Sequence, residues 1–182
     1  MSFPNTTIKI NNENILVRQF NSGDSVEELT RLLNISYKPL ADIGLKFLAS
    51  HQDSKITLER ISEGICLIAL LNEKIIATIT YVYPKNTSGT PWYNKPNVTE
   101  FGQYAVDPKI QKIGIGTALL NMIEKYAFIN GVEELACNTS EKAQHLIDFY
   151  TKRGYRFIEY VQWEVTNYRS VVLSKKLSNF YK

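Results

Sequence analysis

Two glycines one residue apart, Gly114 and Gly116, stand where a β-like run, "VTEFGQYAV", gives way to the most regular helical pattern in the chain. Behind them Ile115, Ala118, Leu119, Met122, Ile123, Tyr126 and Ala127 recur at helical spacing and form one apolar stripe, which Asn130 and Gly131 stop. A strand that enters an amphipathic helix through a glycine pair constrains the fold more than any other feature here. It demands a sheet with a helix packed on it, and a backbone that comes close to a neighbour at the junction. That neighbour is either another strand or a ligand.

The remaining pattern fills in the sheet. "TIKI" and "ILVRQF" read as strands around an Asn-rich turn, and "ICLIALL" and "KIIATITYVY" as an apolar, β-branched hairpin. "VEELACNTS" is a further strand, and "YRFIEYVQW" and "YRSVVLSKKL" close the chain as a second hairpin. Ser25 and Glu28 form a capping box ahead of Leu29, Leu32 and Leu33. Helical stretches are also expected over residues 40–49, near 57–61, and over 141–152. The three prolines of residues 84–96 leave a long patternless loop. The expected fold is α/β: a mixed, mostly antiparallel sheet with helices on both faces, in one domain over residues 1–182.

Charge and composition narrow the function. With 21 basic and 18 acidic residues dispersed along 182, the net charge of +3 lacks the basic stripe of a nucleic-acid binder. The start of the chain lacks the apolar core of a signal peptide, and the longest apolar run, residues 65–71, is far short of the ~20 that span a bilayer. Cys66 and Cys137 are isolated, which fits a reducing compartment and a cytoplasmic protein. His51 and His145 lack metal-ligand spacing, so no metal is expected.

The glycines exclude two nucleotide sites and match a third pattern. A P-loop needs a lysine after its second glycine, where Thr117 and Ala118 stand; a dinucleotide fingerprint needs a third glycine, where Leu119 stands. Gln111, Gly114 and Gly116 meet Q/R-x-x-G-x-G/A instead. With "AVDPKIQKIGIGTALL", and with "FYTKRGYRF" downstream, the chain resembles the GNAT superfamily of acetyl-CoA-dependent N-acetyltransferases over nearly its whole length. The resemblance implies the GNAT fold, with acetyl-CoA as co-substrate and its pyrophosphate on the backbone of Gln111, Lys112, Ile113, Gly114, Ile115, Gly116 and Thr117. The first N–H groups of a helix have no partner within it and sit at the positive end of its dipole, so the physics agrees. Lys109 and Lys112 add positive charge. The resemblance also implies that the backbone of Tyr104, Ala105 and Val106 pairs with the pantetheine arm. Many relatives carry Asn and Ala where this chain has Ala143 and Leu146, so Asn138 is the expected substitute for that contact.

The chemistry is attack of an amine on a thioester. A lysine-like amine is neutral in only about one molecule in 2,500 at pH 7, so the site must accept a proton, steady an oxyanion and protonate the departing thiolate. Glu100 matches the family's glutamate base, and period-two alternation places it with Gly102, Tyr104 and Val106 on one face; Gln103 and Glu164 are weaker substitutes. Tyr150 matches the family's helix tyrosine and is the expected acid. Tyr37, Trp92, Tyr93, Trp163 and Tyr168 are candidates for the acceptor side. The expected acceptor is a small-molecule amine, with a peptide amine, a non-catalytic acyl-CoA-binding module and a nucleotide-dependent oxidoreductase as alternatives. The expected assembly is a monomer or homodimer.

Overall fold

The apolar hairpin forms the middle of an eight-stranded sheet in the computed structural model, which describes residues 3–177. Its strands β1 (Thr6–Ile10), β2 (Glu13–Gln19), β3 (Gly64–Leu71), β4 (Lys74–Val82), β5 (Val98–Val106), β6 (Glu134–Ser140), β7 (Arg156–Gln162) and β8 (Arg169–Lys176) lie in the order β1-β2-β3-β4-β5-β6-β8-β7. Only β5 and β6 run parallel. They pair over three positions, from Val98 opposite Glu134 to Glu100 opposite Ala136, and then part.

Both faces of the sheet are covered, which is why β3 and β4 read as continuous apolar runs. On one face Ile65, Leu67 and Phe101 pack with Leu119, Leu120 and Ile123 of α3 (Ile115–Ile129), beside Tyr150 of α4 (Gln144–Thr151). On the other, Cys66, Ile68 and Ala105 meet Leu29, Leu32 and Leu33 of α1 (Val26–Asp42) and Ile61 of α2 (Ser54–Ser62). The Ser25 hydroxyl caps α1 by accepting from the Glu28 N–H, and Asp53 caps α2 by accepting from the Ile56 N–H. The helix expected over residues 40–49 is instead the end of α1, which continues through Pro39 and stops before Gly44 at φ 87°. The Ser36 and Tyr37 hydroxyls bond the Val106 and Tyr104 carbonyls, and these tertiary anchors hold the turn that Pro39 weakens.

A bulge in β5 corrects the expected alternation. Thr80 opposes Gly102 and Thr78 opposes Ala105, so Gln103 and Tyr104 share one partner, and Gln103 takes φ 45°. Phe101, Tyr104 and Val106 consequently lie on the α3 face, with the Phe101 and Tyr104 rings 6.0 Å apart. Glu100 and Gly102 face the other way, toward Arg60 of α2. Glu100 and Tyr104 therefore stand on opposite faces. A buried cluster fixes the bulge: Gln52 Nε2 donates to Gln103 Oε1 (2.8 Å) and to Thr57 (2.7 Å), and Gln52 Oε1 accepts from Arg60. Gln52→Ala strips these partners from three buried groups and is expected to lower the unfolding free energy by about 2 kcal/mol. Urea denaturation reads this directly; a loss within about 0.5 kcal/mol, as for an ordinary surface change, would dismiss the cluster as the bulge's support.

Candidate active site

Where β5 and β6 separate, the backbone of β5 loses its neighbour. The Asp107 N–H bonds the Ile76 carbonyl across β4, so the alternate groups of Tyr104 and Val106 point away from β4 into the opening. Their carbonyls accept from Tyr37 (3.1 Å), and from Ser36 (3.1 Å) and Gln111 Nε2 (3.3 Å), instead of from a strand. The Tyr104 oxygen keeps a second lone pair, while the Val106 oxygen has both taken. The opening is a cleft of about 550 Å³ lined by Tyr37, Tyr104, Val106, residues 111, 112 and 114–117, Leu146, Tyr150 and Arg153.

At one end of the cleft stands the N-terminus of α3. It carries no side-chain cap, so its leading N–H groups face the cleft unpartnered within the helix. The two glycines serve it in different ways. Gly114 is left-handed, at φ 98°, and a Cβ there would meet nothing, so its requirement is conformational. A Cβ on Gly116 would lie 2.8 Å from the Tyr104 hydroxyl and 3.2 Å from Val106 Cγ2. That glycine lets the helix start close against β5. Arg153 was missed by the sequence reading: from α4's C-terminal end it folds over the Phe149 ring at 3.6 Å and donates to Thr117 Oγ1 (2.8 Å). It brings a guanidinium to the mouth of the cradle, and Lys112 adds an exposed ammonium.

Tyr150 is buried at 7% exposure, packed against Phe101, Phe149 and Tyr155, and still lines the cleft. Burial lifts its phenol well above the ordinary value, so it stays protonated. Glu100 occupies the last paired position of β5, at the vertex of the opening. Burial pushes its carboxyl up to about 7, against a hydrogen bond from Tyr93; Glu63 raises it further and Arg60 offsets part of the rise. Asn138 Nδ2 donates to the Tyr93 hydroxyl (3.2 Å), so Asn138 sits behind Glu100 through Tyr93 and its side chain is not among the cleft's lining groups. Gln103 is the bulge residue, and Glu164 lies exposed in the turn between β7 and β8.

The other aromatics divide. Tyr37 and Tyr168 pack on Phe47, and burial raises both phenols above their ordinary value, so they stay neutral. Trp163 lies parallel to Tyr93, with centroids 6.4 Å apart, while Trp92 sits under Lys95 and over the β7 side of the sheet. No group of three or more potential metal ligands is found among the described residues.

Similarity to known proteins agrees with this geometry. The model of the acetyltransferase (GNAT) family matches residues 27–155. An S-(2-succino)cysteine N-acetyltransferase of Bacillus subtilis strain 168 is 34% identical over 71% of this chain and 77% of its own length. An S-alkylcysteine N-acetyltransferase of the same organism is 26% identical over 72% and 74%. Among solved structures, a GNAT family acetyltransferase from Elizabethkingia anophelis with acetyl-CoA bound superposes with a TM-score of 0.62, at 18% identity, over 89% of this chain and 97% of that one.

The Glu100 carboxyl ties stability to pH. Its ordinary value is 4.5 and its folded value about 7, so the fold holds a proton in the interval that the unfolded chain releases. That contribution is complete below pH 4.5 and is lost as pH rises through about 7. Glu100→Gln is therefore expected to match the parent's melting temperature near pH 4.5 and to exceed it at pH 8. A difference independent of pH, read by thermal melts at both values, would remove burial of the charge as its cause.

Proposed function

The chain belongs to the GNAT acetyltransferase family, and on that premise we propose that it transfers an acetyl group from acetyl-CoA directly to the α-amine of a small S-substituted cysteine. The observation that carries this reading is the arrangement around the parted strands. An uncapped helix N-terminus and Arg153 flank the cleft, while a carboxylate stands at its vertex on the other face. The two relatives named for cysteine derivatives support the acceptor.

The residues present fit the co-substrate. The open Cβ position at Gly114, the free N–H groups of α3, Lys112 and Arg153 suit a pyrophosphate, and the edge of β5 at Tyr104 and Val106 suits an amide-bearing arm. Bound there, acetyl-CoA supplies the thioester carbon that the amine attacks. Glu100 takes the proton from the acceptor's ammonium: with a carboxyl near 7 it is substantially ionised at neutral pH and a stronger base than an exposed glutamate. Asn138 and Tyr93 hold that carboxylate in place. A backbone N–H of β5 steadies the negative charge that develops on the acetyl oxygen. Tyr150, kept protonated by burial, gives its proton to the departing sulfur. The free, buried thiols of Cys66 and Cys137 support a cytoplasmic location.

Calorimetric titration with acetyl-CoA beside NAD and ATP is the first test. Selective binding of acetyl-CoA is expected, lost in Gly116→Asp; NAD binding instead would overturn the reading. Thiol release with S-alkylcysteines should then rise with pH through about 7, the limb set by Glu100. Glu100→Gln is expected to abolish that limb and lower kcat about 100-fold, and Tyr150→Phe to lower kcat about 10-fold or more with acetyl-CoA binding intact. An unchanged kcat in either variant would remove that residue from the mechanism.

A further inference from the structure

Arg60 is a guanidinium without a carboxylate. It is largely enclosed, and among the described residues no acidic oxygen lies within 4.0 Å of it. Among the described residues its one hydrogen bond runs from Nη1 to Gln52 Oε1, and Nη2 has no partner there. The position of Nη2 is telling: among the described residues, Gly102's chain neighbours aside, it is the only atom within 4 Å of a Cβ built on Gly102, at 3.7 Å. The volume over Gly102 is thus open, with Arg60 at its edge. Glu100 is two residues back on the same strand face, and Gln103, 3% exposed with an unpartnered Nε2, is the next residue on. Tyr37 and Tyr168 flank the guanidinium from α1 and from the approach to β8.

Glu100 and Arg60 influence one another but form no ion pair. A carboxylate and a guanidinium on one face, separated and neither in an ion pair among the described residues, are complementary to a molecule carrying both charges. Burying a guanidinium beside one neutral acceptor is costly, and an arriving carboxylate removes that cost. We infer that Arg60 binds the carboxylate of the amine acceptor, so that the site selects amino acids, presenting the α-amine toward Glu100, over amines that lack an acid group. This rests on the acetyl-transfer reading and extends it from the donor to the feature by which the acceptor is recognised. An acceptor held at both charges has its amine oriented before the proton leaves, whereas an amine without the acid is free to turn.

The test uses the full chain, acetyl-CoA and a panel of L-amino acids that includes S-ethyl-L-cysteine, each paired with its decarboxylated amine, with thiol release as the readout. In the parent, kcat/KM for an acid should exceed that for its amine by about 100-fold. Arg60→Gln should lose about that factor on the acids, chiefly in KM, and stay within a few-fold of the parent on the amines, with acetyl-CoA affinity unchanged by calorimetry. Arg60→Lys, which keeps the charge without the planar fork, should recover part of the loss. Equal use of acid and amine by the parent overturns the proposal, as does a loss in Arg60→Gln that is equal for both members of a pair. If Arg60→Gln fails to fold, the parent's preference and Arg60→Lys decide. Silence toward S-ethyl-L-cysteine with other amino acids active overturns the cysteine-derivative reading and leaves Arg60's role standing. Silence across the panel by protein that binds acetyl-CoA overturns both.

Discussion

The early parting of β5 and β6 is the constraint on which the rest of the molecule depends. Two parallel strands that pair for three residues and then diverge expose backbone groups that a closed sheet would satisfy. Side chains from α1 and the loop before α3 take up the carbonyls of Tyr104 and Val106 in place of a neighbouring strand. The same divergence sets the α3 N-terminus beside the gap. The cleft is a controlled defect in the hydrogen-bond ladder, with a helix dipole aimed along it.

Tyr104 joins the two parts of this arrangement. Its ring lies against Phe101 and Phe149, its hydroxyl occupies the space that Gly116 lacks, and its carbonyl receives Tyr37 from across the sheet. Strand edge, helix start and α1 are therefore located by one side chain. Rigid placement of this kind is what a transfer reaction needs, since donor and acceptor must meet within a few tenths of an ångström.

The sheet, its apolar hairpin and the helix behind the glycines were legible in the sequence, because each carries its own period or turn chemistry. The glycine pair marked the right junction, but its two members turned out to serve different needs: one a left-handed backbone, the other a close approach by a tyrosine. The orientation of β5 was not legible. A single extra residue at Gln103 reverses the alternation, and its cause lies in Gln52, fifty-one residues away in the chain. Arg60 and Arg153 were illegible for a similar reason. An arginine on a helix or just past its end reads as solvated surface until the fold shows which strand or cleft it overhangs. Asn138 was marked for the cofactor arm, yet its amide is committed to Tyr93, a contact between β6 and a loop that no local pattern announces.

The bulge also governs which kinds of change this chain can absorb over time. Substitutions on α2 fall on the Arg60 side of the sheet, where new side chains can alter that surface without touching the wall that faces α3. Straightening the bulge in β5 is a different event. Pairing Gln103 regularly, with no residue lost, would turn Tyr104 and Val106 through the sheet, emptying the packing beneath Gly116 and crowding the space over Gly102 in one step. Diversity on that side can accumulate by point changes, while the bulge in this strand is held by the two opposite surfaces it must serve at once.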